Sequence, residues 1–135
     1  MDFNDPSFRE LLDALHDGVY ITDADGITLK VNGAYERLTG LRSEDVVGQH
    51  MQALVEQGVI SQSVSLRVLK EGRALSLMQS VSQGKRLLVS GTPILDATGQ
   101  VRYVVSTVRD MTELLRIKHA VSYTHLRAHE TSLHL

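Results

Sequence analysis

Cysteine is absent from this chain of 135 residues. Its absence excludes a disulfide framework, a thiolate zinc site and a cysteine nucleophile, and it leaves no thiol on which a flavin adduct could form. A clustered basic stripe is also missing, and the formal net charge of −2 gives no sign of a nucleic-acid surface. The composition, with 42% hydrophobic residues, is that of one globular domain with a single core.

Long hydrophobic runs are lacking as well. No apolar stretch approaches the roughly 18 residues of a membrane helix. The first residues, 1–5, are polar and acidic, unlike a secretory signal peptide. We therefore expect a cytoplasmic protein that does not contact the membrane.

Catalytic signatures are missing too. The chain has no Gly-x-Ser-x-Gly nucleophile elbow and no Gly-rich phosphate loop that ends in lysine. His16 lies beside Asp13 and Asp17, a combination that is most simply a solvated helix face. Residues 23–26 hold two aspartates, but their spacing does not fit a calcium loop and no glutamate closes it. We expect no catalytic residue and no metal site.

The end of the chain differs from the rest. Residues 121–131 resemble, residue for residue, one translated frame of a transposase adapter used in sequencing libraries. We therefore interpret 121–135 as an adapter-derived tail and exclude it from fold reasoning. On this interpretation the natural gene is truncated near Ala120. His125 and His129 have the i, i+4 spacing of a metal pair on a helix, but the adapter explains both.

The first part of the chain predicts a helix followed by a hairpin. Asp5 caps the helix, Pro6 occupies a first-turn position, and Gly18 ends the helix. An Asp/Gly turn then joins two alternating strands, 19–22 and 27–31. The apolar stripe of the helix is Phe8, Leu11, Leu12 and Leu15.

Short helices fill the middle of the chain. Asn32 caps one that runs to Leu38, and Ser43 opens a second short turn. Residues 50–55 form another helical piece, and a longer helix covers 61–71 before a terminating glycine.

The second half turns to strands. Residues 74–81, 85–93 and 101–109 form a three-stranded meander with Gly-containing turns. Asp110 and Glu113 then have the spacing of a capping box for an exit helix. Because the helices lie between two blocks of antiparallel strands, this order predicts an α+β fold.

This order resembles the PAS family at its joints. The last joint contains Asp110, Met111 and Thr112, which look like the family's Asp-hydrophobic-Thr signature. The resemblance covers roughly residues 11–118. The matching stretches, in chain order, are 17–23 with Gly26, 32–35, 39–48 and 109–113.

The resemblance implies a five-stranded antiparallel sheet in the order 2-1-5-4-3. Short helices would cover one face and enclose a small pocket, and terminal helices would flank the sheet. The implied units are an N-terminal amphipathic helix over 1–17, a PAS core over 18–109 and an exit helix over 110–120, ahead of the tail.

A narrower likeness is to the N-terminal PAS module of sigma-54-dependent transcription activators, carried by 65–69, 84–93 and 108–114. In those proteins an AAA+ ATPase and a helix-turn-helix follow. A PAS domain of a histidine kinase is the alternative context. Either way, we expect a covalently linked output domain that the chain does not include.

Strand alternation gives the sheet two faces, one of which we assign to the pocket by similarity to the family. Each apolar candidate, taken singly, is more simply a core residue, since most apolar residues at such positions only pack. Ser106 is the strongest candidate, because a buried hydroxyl needs a partner. The candidates are Ile21, Tyr35, Leu38, Met51, Leu54, Leu66, Leu87, Val89, Val104, Ser106 and Val108.

Cofactors of the family can be tested against the residues. A light-sensing flavin domain needs a reactive cysteine, and a haem sensor usually presents an axial histidine on the long helix, here 61–71, which has none. His50 lies on a short preceding helix. We expect no haem and no covalent chromophore. A non-covalent flavin, a small organic ligand or no ligand stay open.

The resemblance also suggests how a signal leaves the domain. We expect Asp110, Thr112 and Glu113 to relay it at the start of the exit helix. The helical stripe of Phe8, Leu11, Leu12 and Leu15 is the predicted homodimer interface, together with the outer sheet residues Leu88, Tyr103 and Val105. The expected function is a regulatory sensory module, not an enzyme, and the rival is a ligand-free dimerisation module with a filled core.

Overall fold

Five antiparallel strands form a single sheet in the computed structural model of the chain. The structure describes residues 2–58, 63–80, 84–118 and 120. The strands are β1 (Gly18–Asp23), β2 (Thr28–Val31), β3 (Leu75–Ser80), β4 (Arg86–Leu95) and β5 (Val101–Asp110). Their order, β2-β1-β5-β4-β3, confirms the predicted α+β sheet. The predicted tail, 121–135, lies outside the described residues. The same holds for residues 82–83 of the turn predicted between the first two strands of the meander, whose last residue, Gly84, is described.

Helices account for most of the remaining described residues. Residues 112–118 are also helical and form the exit helix. Among the described residues, none of the helices combines the length and the apolar character needed to cross a bilayer. The helices that precede β5 are α1 (Pro6–Asp13), α2 (Gly33–Thr39), α3 (Ser43–Val46), α4 (Met51–Glu56) and α5 (Val64–Glu71).

Local caps explain where several elements begin and end. The Asp5 carboxylate accepts from the Ser7 N–H at 2.8 Å, as predicted for the cap of α1. The helix ends at Asp13, earlier than Gly18. Gly18 instead opens β1, where a Cβ would lie 3.0 Å from the Cα of Tyr35. Its predicted role as a helix terminator was wrong, because the glycine permits α2 to approach the strand.

The start of α5 also differs from the prediction. The helix begins at Val64, and the Ser63 hydroxyl caps it by accepting from the Leu66 N–H at 3.3 Å. The predicted first residue, Ser61, lies outside the described residues. At its other end Gly72 adopts φ +70°, the left-handed conformation of a helix C-cap, as predicted.

The buried side chains form two clusters, one on each face of the sheet. We call the face covered by α2 to α5 the inner face and the face covered by α1 the outer face. The inner cluster includes Leu87, Val89, Val104 and Val108. The outer cluster consists of Leu12, Val19 and Ile21, with Phe3, Phe8, Leu29, Tyr103 and Val105 packed against them.

Candidate functional site

The inner face brings most of the predicted pocket residues together. Leu38 and Leu66 are half-buried and pack against this cluster. Ser106 is fully buried among them. The predicted residues within the cluster itself are Tyr35, Met51, Leu54, Leu87, Val89, Val104 and Val108.

Ile21 is the exception, and its assignment to the pocket was wrong. In the β1–β5 ladder Tyr20 lies opposite Ser106, and Ile21 lies opposite Val105. Directly paired residues share a face of an antiparallel sheet, so Tyr20 points to the inner face with Ser106. Ile21 joins the outer cluster. The register between β1 and β5 decides which face Ile21 lies on. Alternation within one strand does not reveal that register.

A cluster of three hydroxyl groups lies inside the domain. The Tyr20 hydroxyl hydrogen-bonds to the side chains of Ser65 and Ser106. The two serine hydroxyl oxygens are 3.4 Å apart, and both serines are completely buried. Burial raises the pKa of Tyr20, and the hydrogen bonds from Ser65 and Ser106 oppose that rise only in part. The phenol therefore stays neutral near pH 7.

This hydroxyl cluster depends on a close approach between α5 and β4. Gly91 lies opposite Ser106 in the β4–β5 ladder. A Cβ at position 91 would lie 2.7 Å from Cγ1 of Val64 and 2.9 Å from Cγ2 of Val68. Only glycine lets α5 come near enough for Ser65 to reach Ser106. The inner face is close-packed at this point.

A second polar position lies further along β1. Thr22 is completely buried, and within the described part of the chain its hydroxyl has no hydrogen-bond partner. Its neighbour across the β1–β2 ladder is Thr28, whose hydroxyl donates to the sulfur of Met51 at 3.2 Å. Buried hydroxyls nearly always have a partner, so Thr22 is an unsatisfied polar position in the interior of the described chain.

Sequence reasoning missed Tyr20, Ser65 and Thr22. Alternation shows that Tyr20 and Thr22 share one face of β1, but the register with Ser106 on β5 is needed to show that this face is the inner one. Nothing in the sequence indicated that Ser65 on α5 would meet two strands, because that contact depends on how the helix packs.

Asn32 joins three elements through its buried side chain. Its amide oxygen accepts from the N–H groups of Val19, at 2.8 Å, and Tyr35, at 3.0 Å. Its amide nitrogen donates to the carbonyls of Leu12, at 2.8 Å, and Asp17, at 3.1 Å. The predicted helix cap is confirmed, and the same amide also fastens α1 and the start of β1 to α2.

The start of the exit helix is anchored differently from the prediction. The Asp110 carboxylate accepts from the Thr112 N–H at 2.9 Å. Glu113, expected to complete a capping box, has its carboxylate 3.7 Å from the Arg116 guanidinium. The side-chain contact with the sheet comes from Thr112, whose hydroxyl accepts from the Arg86 N–H at 2.9 Å.

The predicted dimer stripe on α1 is divided between two environments. Leu12 is buried and Phe8 half-buried against the outer face of the same chain, where they meet Tyr103 and Val105. Leu11 is 63% exposed. Phe8, Leu12, Tyr103 and Val105 therefore pack against one another within one chain, since an amphipathic helix buries its apolar stripe wherever an apolar sheet face is in reach. The homodimer interface expected from them stays a prediction. Leu11 and Leu15 remain exposed.

His50 has a structural role in the fold. Its Nδ1 accepts from the Gln52 N–H at 3.0 Å and so caps α4. Among the residues that the structure describes, no three His, Cys, Asp or Glu side chains gather as a metal site would require.

Comparison with known proteins identifies the family. A family model for the PAS fold matches residues 7–111, so this chain belongs to the PAS family. PAS domains are generally sensory modules of signalling proteins. Among curated proteins no match was found.

Solved structures share the fold at low sequence identity. The PAS domain of Bordetella pertussis BvgS is 21% identical, with a TM-score of 0.57 over 87% of this chain and 96% of that chain. A sensory box sensor histidine kinase from Vibrio cholerae is 20% identical, with a TM-score of 0.57 over 76% of this chain and 88% of that chain. An RNA-binding Light-Oxygen-Voltage receptor is 18% identical, with a TM-score of 0.64 over 94% of this chain, which spans only 39% of that receptor. These similarities show the fold alone.

Proposed function

We propose that this PAS domain is a regulatory module that senses a small ligand with hydrogen-bonding groups at its inner face. The observation that carries the proposal is the buried Thr22 hydroxyl, which has no partner among the described residues. An unsatisfied buried polar group costs about 1–3 kcal/mol. A ligand that hydrogen-bonds to this group would recover that free energy.

The ligand would act on β1 and, through it, on β5, the strand that leads to the exit helix. Thr22 lies on the same face of β1 as Tyr20, and Tyr20 pairs with Ser106 on β5. The last residue of β5, Asp110, is followed within two residues by the exit helix. A ligand that binds two arrangements of β1 and β5 unequally would therefore shift the helix, and the signal, between them.

An ion pair also couples the ends of these strands. The Arg109 guanidinium donates to Asp17, which directly precedes β1, at 3.0 Å and 3.4 Å for its two contacts. The hydrogen bond from Arg109 to Asp17 and their opposite charges raise the pKa of Arg109. Because Arg109 is largely exposed, the pair stabilises the fold only weakly; it adds a side-chain contact between the start of β1 and the end of β5.

The rival function, a dimerisation module with a filled core, also has one observation in its favour. At Gly91 the inner face is packed so closely that a single added methyl group would collide with Val64. In that case the domain would bind no ligand and would only hold two chains together, through Leu11, Leu15 and the exit helix.

Ligand binding separates the two functions. We would purify the full chain, search for a retained small molecule by native mass spectrometry, and measure thermal unfolding against a metabolite library. A sensing module predicts at least one compound that raises Tm, and the rise is lost in Thr22→Val. Thr107→Val, an exposed position on β5, is the matched control and keeps the shift. If no compound is retained or raises Tm, the dimerisation module is the better description.

For the parent protein we propose a bacterial sigma-54-dependent transcription activator, with a histidine kinase as the alternative. The support is the likeness of residues 65–69, 84–93 and 108–114 to the PAS modules of those activators. In both contexts the domain would work in the cytoplasm as a homodimer, without catalytic residues, haem or covalent chromophore. Sequencing the gene beyond codon 120 in its source DNA would identify the output domain directly.

A further inference from the structure

A cavity of about 160 Å³, partly open to solvent, lies on the other side of the sheet, between α1 and the outer face. The side chains of Phe8 and Leu12 line it from the helix, and those of Ile21, Tyr103 and Val105 line it from the sheet. The helix thus covers the outer face without filling the space beneath it.

The lining has one chemical character. Phe3 closes one side, its ring edge-to-face with Phe8 at 5.7 Å and with Tyr103 at 5.3 Å between centroids. The remaining lining residues are aliphatic. Only apolar atoms face the cavity, so a polar solute would lose its hydrogen bonds to water on entering and gain none from the lining.

The volume of the cavity further limits which molecules can fit in it. An apolar cavity of about 150 Å³ lined by Leu, Ile and Phe stays dry and binds benzene. We propose that the outer-face cavity binds a small apolar molecule of the size of benzene. This site is separate from the inner-face ligand of the preceding section and does not depend on it.

Such an occupant would act on the position of α1. It would contact Phe8 and Leu12 on the helix and Tyr103 and Val105 on β5 at the same time, which favours the docked helix over the detached one. The same helix is tied to the core through Asn32, whose amide nitrogen donates to the Leu12 carbonyl at 2.8 Å. Occupancy of the outer-face site would therefore connect the position of α1 with β5.

Benzene is the probe for this site. We expect millimolar benzene to raise the Tm of the full chain by several degrees, since a ligand at ten times its Kd adds about 1.4 kcal/mol to the free energy of unfolding. Pyrazine, a ring of the same size with two nitrogen acceptors, should leave Tm unchanged. In amide NMR spectra benzene should shift Val19, Ile21 and Val105, and leave Val68 and Leu87 in place.

Filling the cavity provides the variant test. Val105→Phe should abolish the benzene shift, and Val47→Phe, at a residue 39% exposed outside the cavity, should retain it. If Val105→Phe fails to fold, Val105→Leu should still weaken the shift. The proposal is overturned if benzene does not raise the Tm of the unmodified chain, if Val105→Phe and Val105→Leu keep the full shift, or if the NMR changes fall on the inner face.

Discussion

Thr112 and Arg86 are joined by a hydrogen bond of 2.9 Å, in which the Arg86 backbone N–H donates to the threonine hydroxyl. The Arg86 carbonyl also accepts from the Met111 N–H, at 2.8 Å. Arg86, the first residue of β4, thus holds Met111 and Thr112, the two residues that directly follow β5. If the exit helix rotates, either these two hydrogen bonds break or the start of β4 moves together with the helix.

The first prediction concerns this junction. Thr112→Val removes the acceptor for the Arg86 N–H, and one neutral hydrogen bond contributes about 1 kcal/mol. Amide hydrogen exchange at Arg86, followed by NMR, should therefore become about fivefold faster, as that free energy implies. Thr112→Ser keeps the hydroxyl and should keep the protection. An exchange rate at Arg86 that is unchanged in Thr112→Val would count against the junction.

The second prediction is a pH dependence at the same place. Hydrogen bonds from the Thr112 side chain and backbone lower the pKa of Asp110 below its usual range. Because the pKa is lower in the folded state, the stabilisation is present above the ordinary aspartate pKa and is lost as pH falls through the lowered value. Carboxyl ¹³C NMR should show the Asp110 pKa moving up in Thr112→Val. Equal pKa values in both proteins would contradict this assignment.

The third prediction tests the unpartnered hydroxyl. Thr22→Val replaces it with a methyl group of nearly the same shape, so the free energy of unfolding of the ligand-free domain should rise by about 1 kcal/mol. Thr28→Val is the matched control, because the Thr28 hydroxyl does have a contact, with Met51, and its loss should not stabilise the fold. Urea unfolding measures both. A destabilised Thr22→Val would reveal a partner that this hydroxyl already holds.

The fourth prediction separates the two sides of α1. Leu12→Glu places a carboxylate in the buried outer cluster and should lower the free energy of unfolding by about 3 kcal/mol or more. Leu11→Glu, at a side chain 63% exposed, should change it by less than about 0.5 kcal/mol.

Leu11 is therefore the better position for testing the dimer. Sedimentation over a concentration series should show weaker self-association in Leu11→Glu, with the fold intact by circular dichroism. If Leu11→Glu and the unmodified chain self-associate equally, the interface does not include α1 and the exit helix is the remaining candidate.

The fifth prediction concerns the Asn32 amide. Asn32→Asp puts a carboxylate oxygen against the carbonyls of Leu12 and Asp17, in a site that is 1% exposed. The lost donor and the buried charge should together lower the free energy of unfolding by about 3 kcal/mol or more at neutral pH. The loss should be smaller at pH 4, where the carboxyl group can take up a proton. A variant as stable as the original protein at pH 7 would show that the amide does not fasten α1.

Local residue chemistry was sufficient to predict most of the elements. Asp5 and Asn32 cap helices and Gly72 ends one, because a cap is made within a few residues of chain. Alternation, a local property, also sorted the residues of β4 and β5 into two faces, and the resemblance to the PAS family supplied which of the two faces is the inner one. The pairing order of the strands came from the resemblance to the PAS family, not from spacing.

Contacts between distant segments could not be predicted in this way. Ile21 was placed on the wrong face because the register between β1 and β5 decides its direction. Likewise, the stripe on α1 revealed an apolar surface but not which surface would cover it. The structure shows that its own sheet covers Phe8 and Leu12.

The sequence by itself therefore determined the elements, their caps and the alternation of their faces, all of which depend on residues near one another in the chain. Only the tertiary structure decided that Tyr20, Ser65 and Ser106 meet, that Thr22 is buried without a partner in the described chain, and that a cavity remains beneath α1. These features arise where side chains from separate elements pack together. Packing depends on the volumes and registers of all the elements at once, which no local pattern records.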